Sequence, residues 1–121
     1  MNNEKKIIQD CLFCNIIKGK VPSKKIAEST LAYAFHDLNP QAPIHVLIIP
    51  KIHISSAVEL SSLNIDYFGE MALLANDIVK KMDIDRKGFR WIVNTGEDGG
   101  QTVFHIHLHL LAGRRLAWPP G

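Results

Sequence analysis

Three histidines alternate with apolar residues near the C-terminal end of the chain, in the run Phe-His-Ile-His-Leu-His-Leu-Leu over residues 104–111. An α-helix turns by about 100° per residue and would scatter these side chains around its circumference, whereas a strand places every second residue on the same face. We therefore predict a strand with three imidazoles on one face and Ile106, Leu108 and Leu110 on the other. One face of such a strand can pack into a core while the other carries chemistry.

Three aligned imidazoles have three interpretations: a polar strand face, a metal site, or a catalytic task divided among them. Residues four apart on a strand are separated by about 13 Å, and zinc holds nitrogen at about 2.0–2.1 Å. His105 and His109 can therefore hardly bind the same ion, although two neighbouring rings could. In the divided task one ring is the nucleophile, one its hydrogen-bonding neighbour and one a structural anchor. An imidazole with an ordinary pKa of about 6.5 is neutral enough near pH 7 to act as a nucleophile.

A glycine-rich segment, Asn94-Thr-Gly-Glu-Asp-Gly-Gly-Gln-Thr102, runs directly into the histidines. Gly99 and Gly100 allow unusual backbone angles and a close approach to a ligand. Exposed backbone N–H groups in such a loop can form an anion-binding concavity. Glycine-rich loops are common, but one placed just before a row of imidazoles suggests a phosphate group held against a histidine.

These segments resemble the histidine triad (HIT) superfamily of nucleotide hydrolases and transferases. The resemblance covers roughly residues 11 to 121 and points to the Hint branch, the purine nucleoside phosphoramidases. It is carried by the triad itself and by four other segments, which are residues 35–43, His45 to Pro50, residues 98–102, and Gly113-Arg114-Arg115 with Trp118-Pro119-Pro120-Gly121.

The fold implied by this resemblance is α+β, with about five mostly antiparallel strands, one long helix and one short helix. A chain of 121 residues suits one domain, which we place at 1–121 with an N-terminal extension over 1–10 and a C-terminal tail over 113–121. We predict strands over 26–28, 31–36, 44–49 and 89–94, a short helix that ends near Gly19 with Leu12 on its apolar face, and a long helix over 62–82. Ser61 or Ser62 can cap the long helix, whose apolar stripe comprises Leu63, Tyr67, Met71, Leu74, Ile78 and Met82.

The activity implied by the resemblance is hydrolysis of purine nucleoside 5′-phosphoramidates, releasing AMP or GMP through a nucleotidyl-histidine intermediate. His107 would attack the α-phosphorus and His109 would contact a nonbridging oxygen, with backbone N–H groups near Gly100 adding stabilisation. Thr102 stands where the family usually has serine, and its hydroxyl can still relay a proton to the leaving amine. The expected catalytic residues are therefore His107, His109, Thr102 and His105, and catalysis needs no cofactor.

The nucleotide pocket is expected to begin at Asp37, just past a predicted strand. A carboxylate there can accept both ribose hydroxyls or make only local turn bonds, and the resemblance favours the ribose. The expected substrate-binding residues are Asp37, Leu38, Asn94, Gly100, Gln101, Thr102, His107 and His109. His45, the one polar residue of a nearly apolar strand, should support the triad. The resemblance also implies a homodimer with one continuous sheet, in which the C-terminal tail reaches the partner's active site and Trp118 lies near the interface.

Cys11 and Cys14 are the only cysteines, spaced as Cys-x-x-Cys. In a reducing compartment this spacing is more often metal-binding or redox-active than a structural disulfide, and two small core cysteines are the other possibility. A metal would need two further ligands, and the chain offers His53 and His105. The resemblance implies structural zinc at such a set in many members of the branch, while others fold without metal.

The net charge of +2 and the absence of a long basic block give no case for nucleic-acid binding. No apolar stretch approaches the roughly 20 residues of a membrane span, and Ile7-Ile8 is too short for a signal-peptide core, so we expect a cytoplasmic protein. Two alternative functions remain at this stage. One is a dinucleoside polyphosphate hydrolase, against which the Trp-Pro-Pro-Gly ending argues, and the other is a non-catalytic nucleotide-binding or scaffold protein.

Overall fold

The computed structural model describes residue 8 and residues 10–121; residues 1–7 and 9, which make up most of the predicted N-terminal extension, lie outside the described residues. Five strands form one sheet in the order β1-β2-β3-β5-β4, and every neighbouring pair is antiparallel. The strands are β1 Lys25–Glu28, β2 Ala32–His36, β3 Ile44–Pro50, β4 Arg90–Ile92 and β5 Leu108–Ala112, and the helices are α1 Leu12–Ile17 and α2 Ile65–Lys81. The α+β prediction is confirmed.

Strand β3 lies at the centre of the sheet and is covered on both faces. Val46 and Ile48 pack with α2, while Leu47 and Ile49 pack with Phe13 and Ile16 of α1 on the opposite face. A strand buried on both faces needs no polar alternation, which explains its nearly continuous apolar sequence. The exception is His45, which is also buried.

The strand that carries the histidines is shorter than predicted. Strand β5 begins at Leu108, so His105 lies in a bend and His107 in the irregular segment just before the strand. Antiparallel register pairs Ile48 with Leu108, and its continuation would pair Ile49 with His107 and then Pro50 with Ile106. Proline has no backbone N–H to donate, so the ladder stops and the Ile106 N–H bonds Ile54 O at 2.6 Å instead.

Helix α2 begins three residues later than predicted, at Ile65, and neither Ser61 nor Ser62 is its N-cap. Asn64 occupies the cap position, and its Oδ1 accepts from the Ser61 N–H at 2.8 Å. Ser61 O accepts in turn from Asn64 N and Ile65 N, so residues 61–64 form a closed turn before the helix. Leu63, predicted to lie on the apolar stripe, is therefore 91 % exposed.

Helix α1 buries Phe13, Cys14 and Ile16 against the sheet, but Leu12, predicted on the same face, is exposed. Cys11 precedes the helix and its Sγ accepts from Cys14 N at 3.4 Å, as an N-cap side chain does. Both cysteines are thereby held beside the sheet. Within the described residues, no helix has the length and apolar character to cross a membrane.

Candidate active site

The three imidazoles lie on the α1 side of the sheet, opposite the apolar residues that alternate with them. The edge of the Phe13 ring packs on His105 and His107, with centroids 5.8 and 5.1 Å apart. Leu108 and Leu110 pack into the core with α2 on the other side. The predicted division between a chemical face and a packing face is thus present, although two of the three rings precede the strand.

The ring of His105 faces Cys11 and Cys14 and is completely buried. Its Nε2 lies 3.0 Å from the Pro50 carbonyl, which can only accept, so Nε2 carries the proton. Its Nδ1 therefore presents a lone pair toward the Sγ atoms of Cys11 and Cys14, at 3.3 and 3.5 Å. His53 Nδ1 approaches Cys14 Sγ at 3.5 Å from the other side.

These four residues, Cys11, Cys14, His53 and His105, each offer one ligand atom, and all four atoms lie within 4.8 Å of one another. Zinc–sulfur and zinc–nitrogen bonds of about 2.3 and 2.0–2.1 Å at tetrahedral angles place S and N about 3.6 Å apart, close to the separations found here. The hydrogen bond from His105 to Pro50 fixes the tautomer, as a group behind a ligand histidine typically does. The donor set fits structural zinc, which would tie α1 to residues 53 and 105.

His107 has a different role from His105. Its Nδ1 lies 2.8 Å from the His105 carbonyl, so Nδ1 carries the proton and donates it. The lone pair of a neutral His107 is therefore on Nε2, and burial lowers the pKa of the ring so that the neutral form dominates near pH 7. An uncharged ring with a free Nε2 is the form that an imidazole nucleophile requires.

His109 bonds to His45, and a backbone group sets the protons of the pair. The Gln41 N–H donates to His45 Nδ1 at 3.0 Å, so neutral His45 carries its proton on Nε2. That nitrogen lies 2.9 Å from His109 Nδ1, which must accept. His109 therefore keeps its proton on Nε2, where it can be donated to a ligand.

Burial keeps this pair uncharged. It lowers the pKa of His109 to about 4, with the neighbouring His107 and His45 adding to the effect. Burial also lowers the pKa of His45, opposed by the charge of Asp37. The support predicted for His45 is thus a direct hydrogen bond, and His105 and His109 lie in separate clusters, as the strand spacing required.

Asp37 lies between β2 and β3 and contacts both its own turn and the histidine pair. Oδ1 accepts from the Asn39 N–H at 2.8 Å, and Oδ2 lies 3.4 Å from His45 Nε2. Each oxygen of a carboxylate has two lone pairs, so Asp37 still has acceptor capacity for a ligand. Leu38 beside it is 80 % exposed, so its side chain is accessible to a ligand.

The glycine-rich loop is closed by bonds between Gly96 and Gln101. Gln101 N donates to Gly96 O at 3.0 Å, and Gly96 N donates to Gln101 Oε1 at 3.0 Å. A Cβ on Gly99 would lie 2.3 Å from Thr95 O, so only glycine fits there, and Gly100 has a φ of +80°. The loop is therefore shaped before any ligand binds.

The side chain of Gln101, predicted to bind substrate, is buried inside this loop. Besides accepting from Gly96, it donates from Nε2 to Ser55 O at 2.7 Å and to Val103 O at 3.1 Å. Three internal bonds leave it little capacity for a ligand. Its contribution is to hold the loop that carries Gly100 and Thr102.

The remaining predicted site residues lie at the surface. Thr102 follows the glycine loop and is exposed, and Asn94 is half-buried just beyond β4. Trp118 is 81 % exposed in the single chain. The tail that carries it is held by Arg90, whose Nη2 donates to Ala117 O at 2.9 Å.

Sequence reasoning missed three residues that organise the site: Pro50, Gln41 and Arg114. Pro50 acts through its backbone carbonyl and Gln41 through its backbone N–H. Nearly every residue has these groups, so the sequence does not single out these two. Arg114 donates to Gln41 O across 73 positions of sequence, and no local pattern encodes such a contact. The signal available was Pro50 itself, since proline in a central strand requires a break in the ladder.

The sequence profile described as HIT domain matches residues 18–116 of this chain, which span the sheet, α2 and the three histidines. The chain belongs to the HIT domain family. Among its HIT relatives, an uncharacterized HIT-like protein of Synechococcus elongatus is 42% identical over 113 residues, which are 93% of this chain and 98% of that protein. A 14 kDa zinc-binding protein of Brassica juncea is 38% identical over 114 residues, covering 93% of this chain and all of that one.

The HIT fold of this chain is also found in solved structures. A HIT family hydrolase from Legionella pneumophila superposes with a TM-score of 0.90 at 39% identity, over 93% of this chain and 100% of that chain. The zinc-binding name of the Brassica relative agrees with the Cys–His cluster found here. Structural zinc is therefore consistent with both the family and the geometry.

Proposed function

We propose that this HIT protein hydrolyses the P–N bond of purine nucleoside 5′-phosphoramidates and releases AMP or GMP. One observation carries the proposal: the hydrogen bond from His107 Nδ1 to the His105 carbonyl leaves the lone pair of a neutral ring on Nε2. The hydrolase described among the solved structures supports the reaction class. The Hint resemblance supplies the substrate class.

In the first step His107 Nε2 attacks the α-phosphorus, the Nε2–P bond forms, and the bond to the amine nitrogen breaks. The attacking ring becomes positively charged, and its Nδ1–H continues to donate to the His105 carbonyl, which stabilises that charge. The amine leaves with a proton that the exposed Thr102 hydroxyl relays from solvent, and the water that attacks in the second step returns one to solvent. Water then attacks phosphorus, breaks the Nε2–P bond and yields the nucleoside monophosphate.

His109 donates from Nε2 to a nonbridging phosphate oxygen as charge develops there. The N–H groups of Gly100 and Gln101 are bonded within the loop, to Glu97 O and Gly96 O, so the backbone donor to the same phosphate is the Thr102 N–H. A preorganised donor of this kind is worth on the order of 3 kcal/mol in the transition state. Asp37 accepts from the ribose, with Leu38 against the base and Asn94 near the ribose–phosphate link. Bound zinc would supply a structural crosslink through Cys11, Cys14, His53 and His105, away from the reacting phosphorus.

We also propose a homodimer in which β4 pairs with the β4 of a second copy. Strand β4 forms one edge of the sheet, and Phe89 and Trp91 lie exposed along it with ring centroids 6.3 Å apart. The other edge strand, β1, carries the charged residues Lys25 and Glu28 and a register shift, features that oppose edge pairing. The exposed Trp118 would then lie near the partner's site.

Parallel assays with adenosine 5′-phosphoramidate and diadenosine tetraphosphate test the proposal. We expect the phosphoramidate to be turned over faster, and His107→Ala to abolish turnover while AMP still binds. Faster cleavage of the dinucleotide would instead make the protein a dinucleoside polyphosphate hydrolase. AMP binding without turnover of either substrate would make it a nucleotide-binding protein.

A further inference from the structure

The C-terminal tail contacts the loop between β2 and β3 through Arg114. The Arg114 guanidinium donates to the Gln41 carbonyl from Nη2 at 2.9 Å and from Nε at 3.3 Å. Gly113 crosses this loop closely, because a Cβ there would lie 2.8 Å from Pro43 Cβ. A planar guanidinium that places two N–H groups on one oxygen fixes that oxygen in direction as well as in distance.

The residue held by Arg114 is also the one that sets the protons of the histidine pair. Gln41 donates its backbone N–H to His45 Nδ1 at 3.0 Å, and His45 Nε2 lies 2.9 Å from His109 Nδ1. Arg114 is thus connected to His109 by successive hydrogen bonds through Gln41 and His45. Nothing else in the described chain donates to His45 Nδ1.

The pair His45–His109 has two arrangements that keep its hydrogen bond. With the proton on His45 Nε2, His109 accepts on Nδ1 and holds its own proton on Nε2. With the proton on His45 Nδ1, the bond reverses, and His109 Nε2 is left with a bare lone pair. The Gln41 N–H permits the first arrangement and opposes the second, because two N–H groups cannot face each other at 3.0 Å. Asp37 Oδ2, 3.4 Å from His45 Nε2, favours the first arrangement as well.

We propose that Arg114 is a positioning residue, which holds the Gln41 N–H on His45 and thereby keeps a proton on Nε2 of His109. The kinetic consequence rests on the proposed function, since a donating Nε2 stabilises a phosphate oxygen and a bare one repels it. The positions of the protons on His45 and His109 do not depend on the proposed function. Arg115 next in sequence is a matched control, because its exposed side chain makes none of these contacts.

The test uses the full-length chain with Arg114→Met, Arg114→Lys and Arg115→Met. Long-range proton–nitrogen spectra of uniformly 15N-labelled protein report which ring nitrogen of His45 and His109 carries the proton. We expect wild type and Arg115→Met to hold His109 in the Nε2–H form, and Arg114→Met to populate Nδ1–H. For adenosine 5′-phosphoramidate, kcat should fall about three- to tenfold in Arg114→Met, the equivalent of one lost hydrogen bond, with partial rescue in Arg114→Lys.

An Arg114→Met variant with the wild-type spectrum overturns the proposal, whatever its melting temperature, because a merely structural arginine would lower stability without moving the proton. A shifted proton with unchanged kcat overturns the kinetic part. If the wild-type protein fails to cleave the phosphoramidate, the proposed function fails, while the spectra still decide the role of Arg114.

Discussion

The carbonyl oxygen of His105 lies 2.8 Å from Nδ1 of His107, so a ligand of the Cys–His cluster also fixes the tautomer of the neighbouring ring. His105 has both of its nitrogens engaged, one toward the cysteines and one on Pro50 O. Its ring is therefore held on two sides, and this limits the movement of the carbonyl that orients His107. His105 therefore connects the Cys–His cluster to the ring of His107.

The cluster should bind about one zinc ion per chain. Cys14→Ser should abolish stoichiometric zinc and lower the free energy of unfolding on the order of 3 kcal/mol, the loss typical of a structural metal. Burial raises the pKa of the Cys14 thiol to about 11, so a nearby cation is needed to hold it as a thiolate. Elemental analysis and urea unfolding measure both effects. Leu12→Ser, exposed in the same helix, should retain zinc, and a Cys14→Ser protein with full zinc content would refute the site.

Acid should destabilise the fold between pH 6.5 and about 4. In this window His109 binds a proton in the unfolded chain but not in the folded one, where burial lowers its pKa to about 4. The unfolded state then holds more protons, so the free energy of unfolding falls as pH falls. At about 1.4 kcal/mol per pKa unit, His109 contributes up to about 3 kcal/mol, and His45, His107 and Asp37 are the ionisable groups that face it.

Urea unfolding at pH 7.5 and pH 4.5 measures this dependence. The His109→Asn variant should lose part of the difference between the two pH values, because burial also lowers the pKa of His45, His105 and His107. His36→Asn, exposed at the end of β2, is the matched control and should behave like wild type. An undiminished difference in His109→Asn would show that other groups are responsible.

Two glycine-to-alanine substitutions should act in opposite directions. A Cβ on Gly99 would lie 2.3 Å from Thr95 O, so Gly99→Ala must shift the backbone of the phosphate loop and should cost about 1–3 kcal/mol and most of the activity. Gly69 lies in α2 with nothing within 4 Å of a Cβ, so Gly69→Ala should stabilise the protein by about 1 kcal/mol. Thermal unfolding and turnover of both variants check this, and a neutral Gly99→Ala would mean that the loop is not rigid.

The periodic parts of the sequence predicted the fold well. The period of two over residues 105–110 identified the two faces, and the apolar run from Ile44 identified the central strand. Two boundaries were predicted wrongly, one because of a contact distant in sequence and one because of a local turn. Strand β5 starts late because Pro50, more than fifty positions earlier, cannot donate to Ile106. Helix α2 starts late because Ser61 and Asn64 bond to each other and close a turn before it.

The site was predictable by residue type but not by proton position. Sequence identified His45, His105, His107 and His109, yet their tautomers follow from groups that only accept or only donate: the carbonyls of Pro50 and His105 and the N–H of Gln41. Backbone groups have no signature in a sequence. The internal bonds of Gln101 were not predictable for the same reason, since its partners on Gly96, Ser55 and Val103 are backbone atoms.

Mass spectrometry of protein quenched with acid-free denaturant during turnover of adenosine 5′-phosphoramidate tests the central claim most directly. Cleavage after Arg90 and Arg114 yields one peptide, residues 91–114, that contains all three triad histidines, so fragment ions must locate the modification. We predict an adenylyl group on His107, absent in His107→Asn protein that still binds AMP. An adenylyl group on His105 or His109, or AMP formation with no protein adduct at any quench time, would contradict the account.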